Sequence, residues 1–231
     1  SNTIDAGVSR GAFGTDAASH SDGVVVKEAN SFISFGASSL STAETDANLR
    51  LWWQDNFGED LILGTRNGAP YYWDRGVGVA TRATALSAQS GASNTPTLVR
   101  EILLSTTDRH VVAFGVNPLG EIYLDPLLVR WSDQGSVVDW TPTATNTSGD
   151  QRISSGSEII TATRARQEFL IWTDSDIHAM RFVGTPFTFG FELMASNVSI
   201  ISPRAVINAK DAVFWMDNEN FYVFSGRIDI L

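Results

Sequence analysis

Carboxylates are the most abundant charged groups in this chain of 231 residues, with 26 Asp+Glu against 16 Lys+Arg and a formal charge of −10. Asp74, Asp125, Asp174 and Asp217 stand at the margins of apolar runs. Two such groups facing each other across a sugar would be the equipment of a glycosidase. Spacing singles out no pair, so no enzyme is expected. Asp174-Ser175-Asp176 and Asp217-Asn218-Glu219-Asn220 cluster the hard oxygen donors that calcium takes. Neither has the glycine and distal glutamate of an EF-hand loop, and both fall where hairpin tips are expected. Turn chemistry is therefore their expected role. Gly76-Val77-Gly78 lacks the third glycine and the helix of a phosphate loop.

Other chemistries are closed by composition. The chain has no cysteine, which removes disulfides, thiolate metal sites and thiol nucleophiles. His20, His110 and His178 are far apart, and His178 sits in a strand-like run, where a hydrogen-bonded histidine is commoner than a ligand. No metal or cofactor is expected. The acidic balance argues against a surface built to grip nucleic-acid phosphates. Only Lys27 and Lys210 are lysines, so the cations are mostly arginines, which suit paired contacts with carboxylates. No apolar run approaches the ~20 residues of a membrane span. Ser1 to Arg10 is polar and has no signal-peptide core.

The elements that position these residues read as strands. Helical apolar spacing is missing, while short β-branched and aromatic runs recur between Asn, Asp, Gly and Pro. Five hairpins follow, at Val24–Gly36, Leu61–Trp73, Val111–Trp131, Phe169–Gly184 and Val213–Gly226. Their first residues, 24, 61, 111, 169 and 213, keep the ~40–50 residue period of four-stranded propeller blades. Weaker strands at Leu98–Leu104, Ile153–Thr161 and Val198–Ile207 would complete the blades. A hairpin cannot bury its apolar face alone, and stacked blades bury both faces. Trp53, Trp73, Trp131, Trp140, Trp172 and Trp215 are the expected packing anchors, large rings filling the wedge between splayed sheets. A β-sandwich would not carry the longer period.

The expected fold is thus all-β, a propeller-like array of four-stranded blades. Residues 1–48 form an N-terminal segment that includes the first hairpin, and residues 49–231 form the propeller-like domain. The start at Ser1 without Met and the apolar close at Phe221–Leu231 suggest an incomplete piece of a larger chain. Exposed loops are expected at Ala80–Thr97 and Thr141–Gly149.

Four segments together carry a resemblance. They are Leu51-Trp52-Trp53-Gln54-Asp55-Asn56-Phe57-Gly58-Glu59-Asp60-Leu61; Arg130-Trp131-Ser132-Asp133 with Asp139-Trp140-Thr141-Pro142 and Ala144-Thr145-Asn146; Leu170-Ile171-Trp172-Thr173-Asp174; and Val213-Phe214-Trp215-Met216 with Phe224-Ser225-Gly226-Arg227. Their order and spacing resemble tailed-bacteriophage virion proteins, the propeller-containing nozzle or head-to-tail connector components of short-tailed phages. The resemblance implies a structural tail protein of the virion. It implies a homo-oligomeric ring, often a hexamer, docked beneath portal and adaptor proteins and enclosing the path of DNA ejection. The DNA would pass without specific binding, and an acidic lumen would serve that passage. The alternative is a carbohydrate-binding propeller acting on host surface glycans, with Tyr71, Tyr72 and Trp73 as a stacking platform. Trp131–Trp140 also resembles the Asp-box of sialidase-like propellers, but Ser132 and Asp133 are adjacent, which breaks its register. Asp133 is expected to be a turn residue.

Overall fold

The structure, a computed structural model, describes residues 51–231, so the hairpin expected at Val24–Gly36 lies outside the described residues. Residues 51–231 fall within one compact unit. Its strands fall into four antiparallel sheets of four, each ordered as the chain runs. Blade 1 holds β1 (Trp52–Phe57), β2 (Asp60–Thr65), β3 (Pro70–Trp73) and β4 (Thr84–Ala85). Blade 2 holds β5 (Val99–Leu104), β6 (Val111–Val116), β7 (Asp125–Trp131) and β8 (Gly149–Arg152). Blade 3 holds β9 (Ile159–Arg164), β10 (Glu168–Thr173), β11 (Asp176–Gly184) and β12 (Thr188–Ser196). Blade 4 holds β13 (Val206–Ala209), β14 (Ala212–Met216), β15 (Phe221–Phe224) and β16 (Ile228–Ile230). The fold is an all-β, propeller-like array of blades.

Four of the five hairpins read from the sequence are the second and third strands of these blades: β2–β3, β6–β7, β10–β11 and β14–β15. Middle strands have a sheet neighbour on each edge and, in inner blades, a blade on each face. Their sequences are accordingly near-continuous apolar runs. β6 is buried at every position: Val111 and Ala113 face blade 1, while Val112 and Phe114 face blade 3. Outer strands have mixed sequences. β8 reads Gly-Asp-Gln-Arg, with three exposed residues, and no apolar pattern announces it.

Three apolar clusters join consecutive blades, between blades 1 and 2, 2 and 3, and 3 and 4. The first strands lie side by side, β1 next to β5, β5 next to β9 and β9 next to β13. They surround a cavity of about 200 Å³ lined by Gln54, Glu101, Thr161 and Val206, among others. The expected loop at Ala80–Thr97 is more structured than its composition indicates. It contains β4 and a 3₁₀ turn at Leu86–Ala88, and Leu86 is fully buried in the cluster between blades 1 and 2. The Ile153–Thr161 strand begins later than expected, at Ile159, because Ser154–Ser157 forms a bend.

Candidate functional site

The tryptophans mark the blade interfaces. Trp53 is buried on the blade 1 side of the first interface, and Trp140 enters the same cluster from the loop between β7 and β8. Trp131 lies in the second interface, edge-on to Phe189 at 5.2 Å between ring centres. Trp172 and Trp215 meet edge-on at 5.3 Å in the third, and Trp215 stacks on Tyr222 at 5.2 Å. Trp73 stands apart. It is half-buried on the opposite face of blade 1 from Trp53 and gives its indole N–H to Thr81 O at 3.0 Å. Two rings press directly on a neighbouring strand. A Cβ at Gly64 would overlap the Trp53 ring, and one at Gly149 would come within 2.7 Å of Trp131, so glycine is required at both places.

Three indole N–H groups, those of Trp53, Trp172 and Trp215, find no acceptor among the described residues. Trp131 and Trp140 donate instead to Thr147 O and Val137 O, both at 2.8 Å. Tyr71, Tyr72 and Trp73 do not form one platform. Strand alternation sends Tyr72 toward blade 2, with its hydroxyl on Asp60, while Tyr71 and Trp73 share the other face.

The carboxylates singled out by sequence are spread over the array and held by structural bonds. Asp74 accepts Gly76 N–H at 2.6 Å. Asp125 accepts Leu127 N–H and pairs with Arg152 at 2.9 Å. Asp174 accepts the Ser157 hydroxyl at 2.6 Å and its N–H at 2.7 Å, and these bonds hold it below the usual aspartate range. Asp217 closes the β14–β15 tip through Glu219 and Asn220 N–H groups, both at 2.7 Å, and these likewise lower its pKa. Asp133 accepts both the N–H and the hydroxyl of Thr147, tying the ends of a long loop. Burial works against its charge, but the donors prevail and its pKa falls. It is a turn residue. Among the described residues no group of His, Asp and Glu forms a metal site.

Sequence reasoning gave no role to three polar groups that the blades enclose wholly or in part. Arg130 is buried, gives its guanidinium to Asn94 O at 2.7 Å and Asn117 O at 3.1 Å, and lies over the Trp140 ring. Burial lowers its pKa. Its position beside Trp131 was the only sequence hint. Glu101 borders the central cavity and accepts from the Thr161 hydroxyl at 2.8 Å and Ala162 N–H at 3.2 Å. Burial raises its pKa even so, against those donors and the nearby Arg204 and Arg66. His110 is fully buried against Phe182 and Phe189, with Nε2 on Thr147 Oγ1 at 3.0 Å. Burial lowers its pKa, and that of His178 also.

A cleft of about 590 Å³ lies among the loops after β5 and β9 and the far half of β11. Its walls include Thr106, Asp108, Arg166, Gln167 and the part-exposed ring of Phe182.

Comparison with known proteins adds little. No protein-family model matches the chain, and no curated protein matches it. Among solved structures, the computationally designed Ika4 protein is 11% identical, with 78% of this chain and 94% of that one covered and a TM-score of 0.44. Hsv2 of Kluyvelomyces marxianus is 9% identical, with 74% of this chain and 46% of that one covered and a TM-score of 0.39. What the chain does has to follow from its own residues.

Proposed function

We propose that this chain is a structural component of a phage tail, contributing to an oligomeric ring through which DNA leaves the capsid. The observation that carries the reading is where the side chains are used. The aromatics pack blade on blade, and the prominent carboxylates close turns or pair with arginines. Such a scaffold resists load and assembles, and needs no turnover. The four segments that resemble the tail family lie in all four blades.

The conduit is not the propeller axis. The cavity among the first strands is only about 200 Å³. A B-DNA major groove alone is about 12 Å wide. The path for a duplex therefore lies between subunits, lined by outward surfaces of an acidic protein, which the phosphates do not grip. Electron microscopy of the native assembly tests this reading. A ring at the head-to-tail junction is expected. A lone monomer on virions, or a chain absent from them, overturns it.

The cleft favours one second reading, a carbohydrate-binding propeller. Its volume suits a small ligand, and it combines hydroxyls, amide and guanidinium groups with an exposed ring. Reproducible binding on a glycan array, lost in Arg166→Ala and Phe182→Ala, would establish it over the tail reading.

A further inference from the structure

Four blades present six faces to one another and leave two over. Blade 1 turns Trp53, Ile62 and Tyr72 toward blade 2. Its other face carries Trp52, Leu61, Leu63, Tyr71 and Trp73, with Gln54 and Asn56 between them on β1, from strands paired in register. Blade 4 turns Val213, Trp215 and Tyr222 toward blade 3. Its other face carries Ile207, Phe214, Val223 and, at the outer strand, Asp229 in one cross-strand row, and Met216 with Phe221 in the next. None of these residues belongs to an apolar cluster among the described residues. Trp52 is 49% exposed, Tyr71 41%, Ile207 65% and Phe221 61%. Among the described residues, no strand covers β1 or β13 at these exposed positions. Among the described residues, Pro203 and Arg204 share a narrow crevice with Leu51, Trp52 and Arg66, and Val206 borders the central cavity with Gln54.

The two open faces differ in kind. Within the chain, each interface joins the forward face of one blade to the backward face of the next. Blade 4 keeps an unused forward face and blade 1 an unused backward face. They are the two halves of the contact already made three times. Exposed surface rich in large apolar side chains and edged by polar ones marks an interaction site. A second copy supplies both missing halves at once, whereas a like-with-like contact would match neither to its established counterpart.

We infer that copies of this chain join head to tail, the open face of blade 4 in one copy packing on the open face of blade 1 in the next. The contact is heterologous, so it closes rings where the rotation permits. A neighbour's blade entering there displaces Pro203 and Arg204 from Trp52. The inference rests on the oligomeric part of the tail reading and not on the DNA path.

Sedimentation of the purified 231-residue chain tests it, without DNA. Assembly into a discrete multiple of the 25.1 kDa mass is expected, falling apart on dilution. Ile207→Asp/Phe221→Asp and Trp52→Asp/Tyr71→Asp each alter exposed positions and should each give monomers. Circular dichroism checks that both stay folded. Mixed together, the two variants should recombine into a one-to-one dimer, because each retains the face the other lost. A monomeric parent chain overturns the inference, and so does either variant assembling by itself, which would mean a like-with-like contact. A ring without a role at the head-to-tail junction overturns the tail reading alone.

Discussion

Asp55 in blade 1 and Arg164 in blade 3 meet at 2.7 Å, although blade 2 lies between them in the chain. The same carboxylate oxygen, Oδ2, accepts Leu104 N–H of blade 2 at 2.8 Å. Arg164 also donates to Leu104 O at 3.1 Å. One carboxylate and one guanidinium thus bind three consecutive blades where their first strands run side by side. Removing Asp55 strands a buried N–H and frees the arginine. Asp55→Ala is expected to cost about 2–3 kcal/mol in urea unfolding, the range for a lost buried charged partner. Arg164→Ala should cost less, since its side chain is part-exposed. A double-mutant cycle should give coupling of about 1 kcal/mol or more. Strict additivity would mean that the pair does not join the blades.

Trp172 is fully buried against Trp215. Trp172→Ala should destabilise by roughly 3–5 kcal/mol, the cost of emptying a large aromatic site. Trp172→Phe should cost clearly less, because it keeps a ring and removes an indole N–H that has no acceptor among the described residues. Equal losses from the two substitutions, or an unchanged melting temperature in the first, would contradict the packing role.

Glu101 has its pKa raised by burial beside the central cavity. Its folded value lies above the ordinary 4.5, so ionising it in the fold costs stability. That cost is absent at low pH and develops as pH rises from about 4.5 through the folded value. Glu101→Gln keeps an acceptor for Thr161 and Ala162 and removes the charge. The variant should match the parent near pH 4 and exceed it at pH 7. Thermal melts across that range decide the point, and a variant less stable at pH 7 would refute it.

His110 and His178 behave in the opposite sense. Burial lowers both, so the fold holds them neutral while the unfolded chain protonates them near pH 6.5. Their contribution is present above about pH 6.5 and is lost as pH falls below it. Asp108 and Asp133 beside His110, and Asp176 beside His178, moderate the loss. In a Glu101→Gln background, which removes the opposing trend, stability should decline from pH 7.5 to 5.5, and His178→Gln should shallow the decline. A flat profile in that background would exclude the effect.

Much of the blade plan was legible because its middle strands are almost uniformly apolar. Phe169-Leu170-Ile171-Trp172 and Val111-Val112-Ala113-Phe114 announce strands covered on both faces. The tips between them were legible for a related reason, since Asp174 and Asp217 have short carboxylates that satisfy nearby turn N–H groups. The flanking strands were less so. β8 has no apolar residue and β4 spans only Thr84–Ala85, and both exist because a neighbouring strand offers them a hydrogen-bonding edge.

Residue types by themselves determined an all-β chain of repeated hairpins without thiol chemistry, since period, turn residues and the absence of cysteine are local properties. Only the tertiary structure decided which face each ring takes. Trp53 and Trp73 read alike in the sequence, yet one is buried between blades and the other lies on an open side. It also decided that Asp55 reaches Arg164, that Arg130 is buried on backbone carbonyls, and that two blade faces find no partner blade among the described residues. These depend on which blade lies next to which, a relation between distant segments that no local spacing encodes.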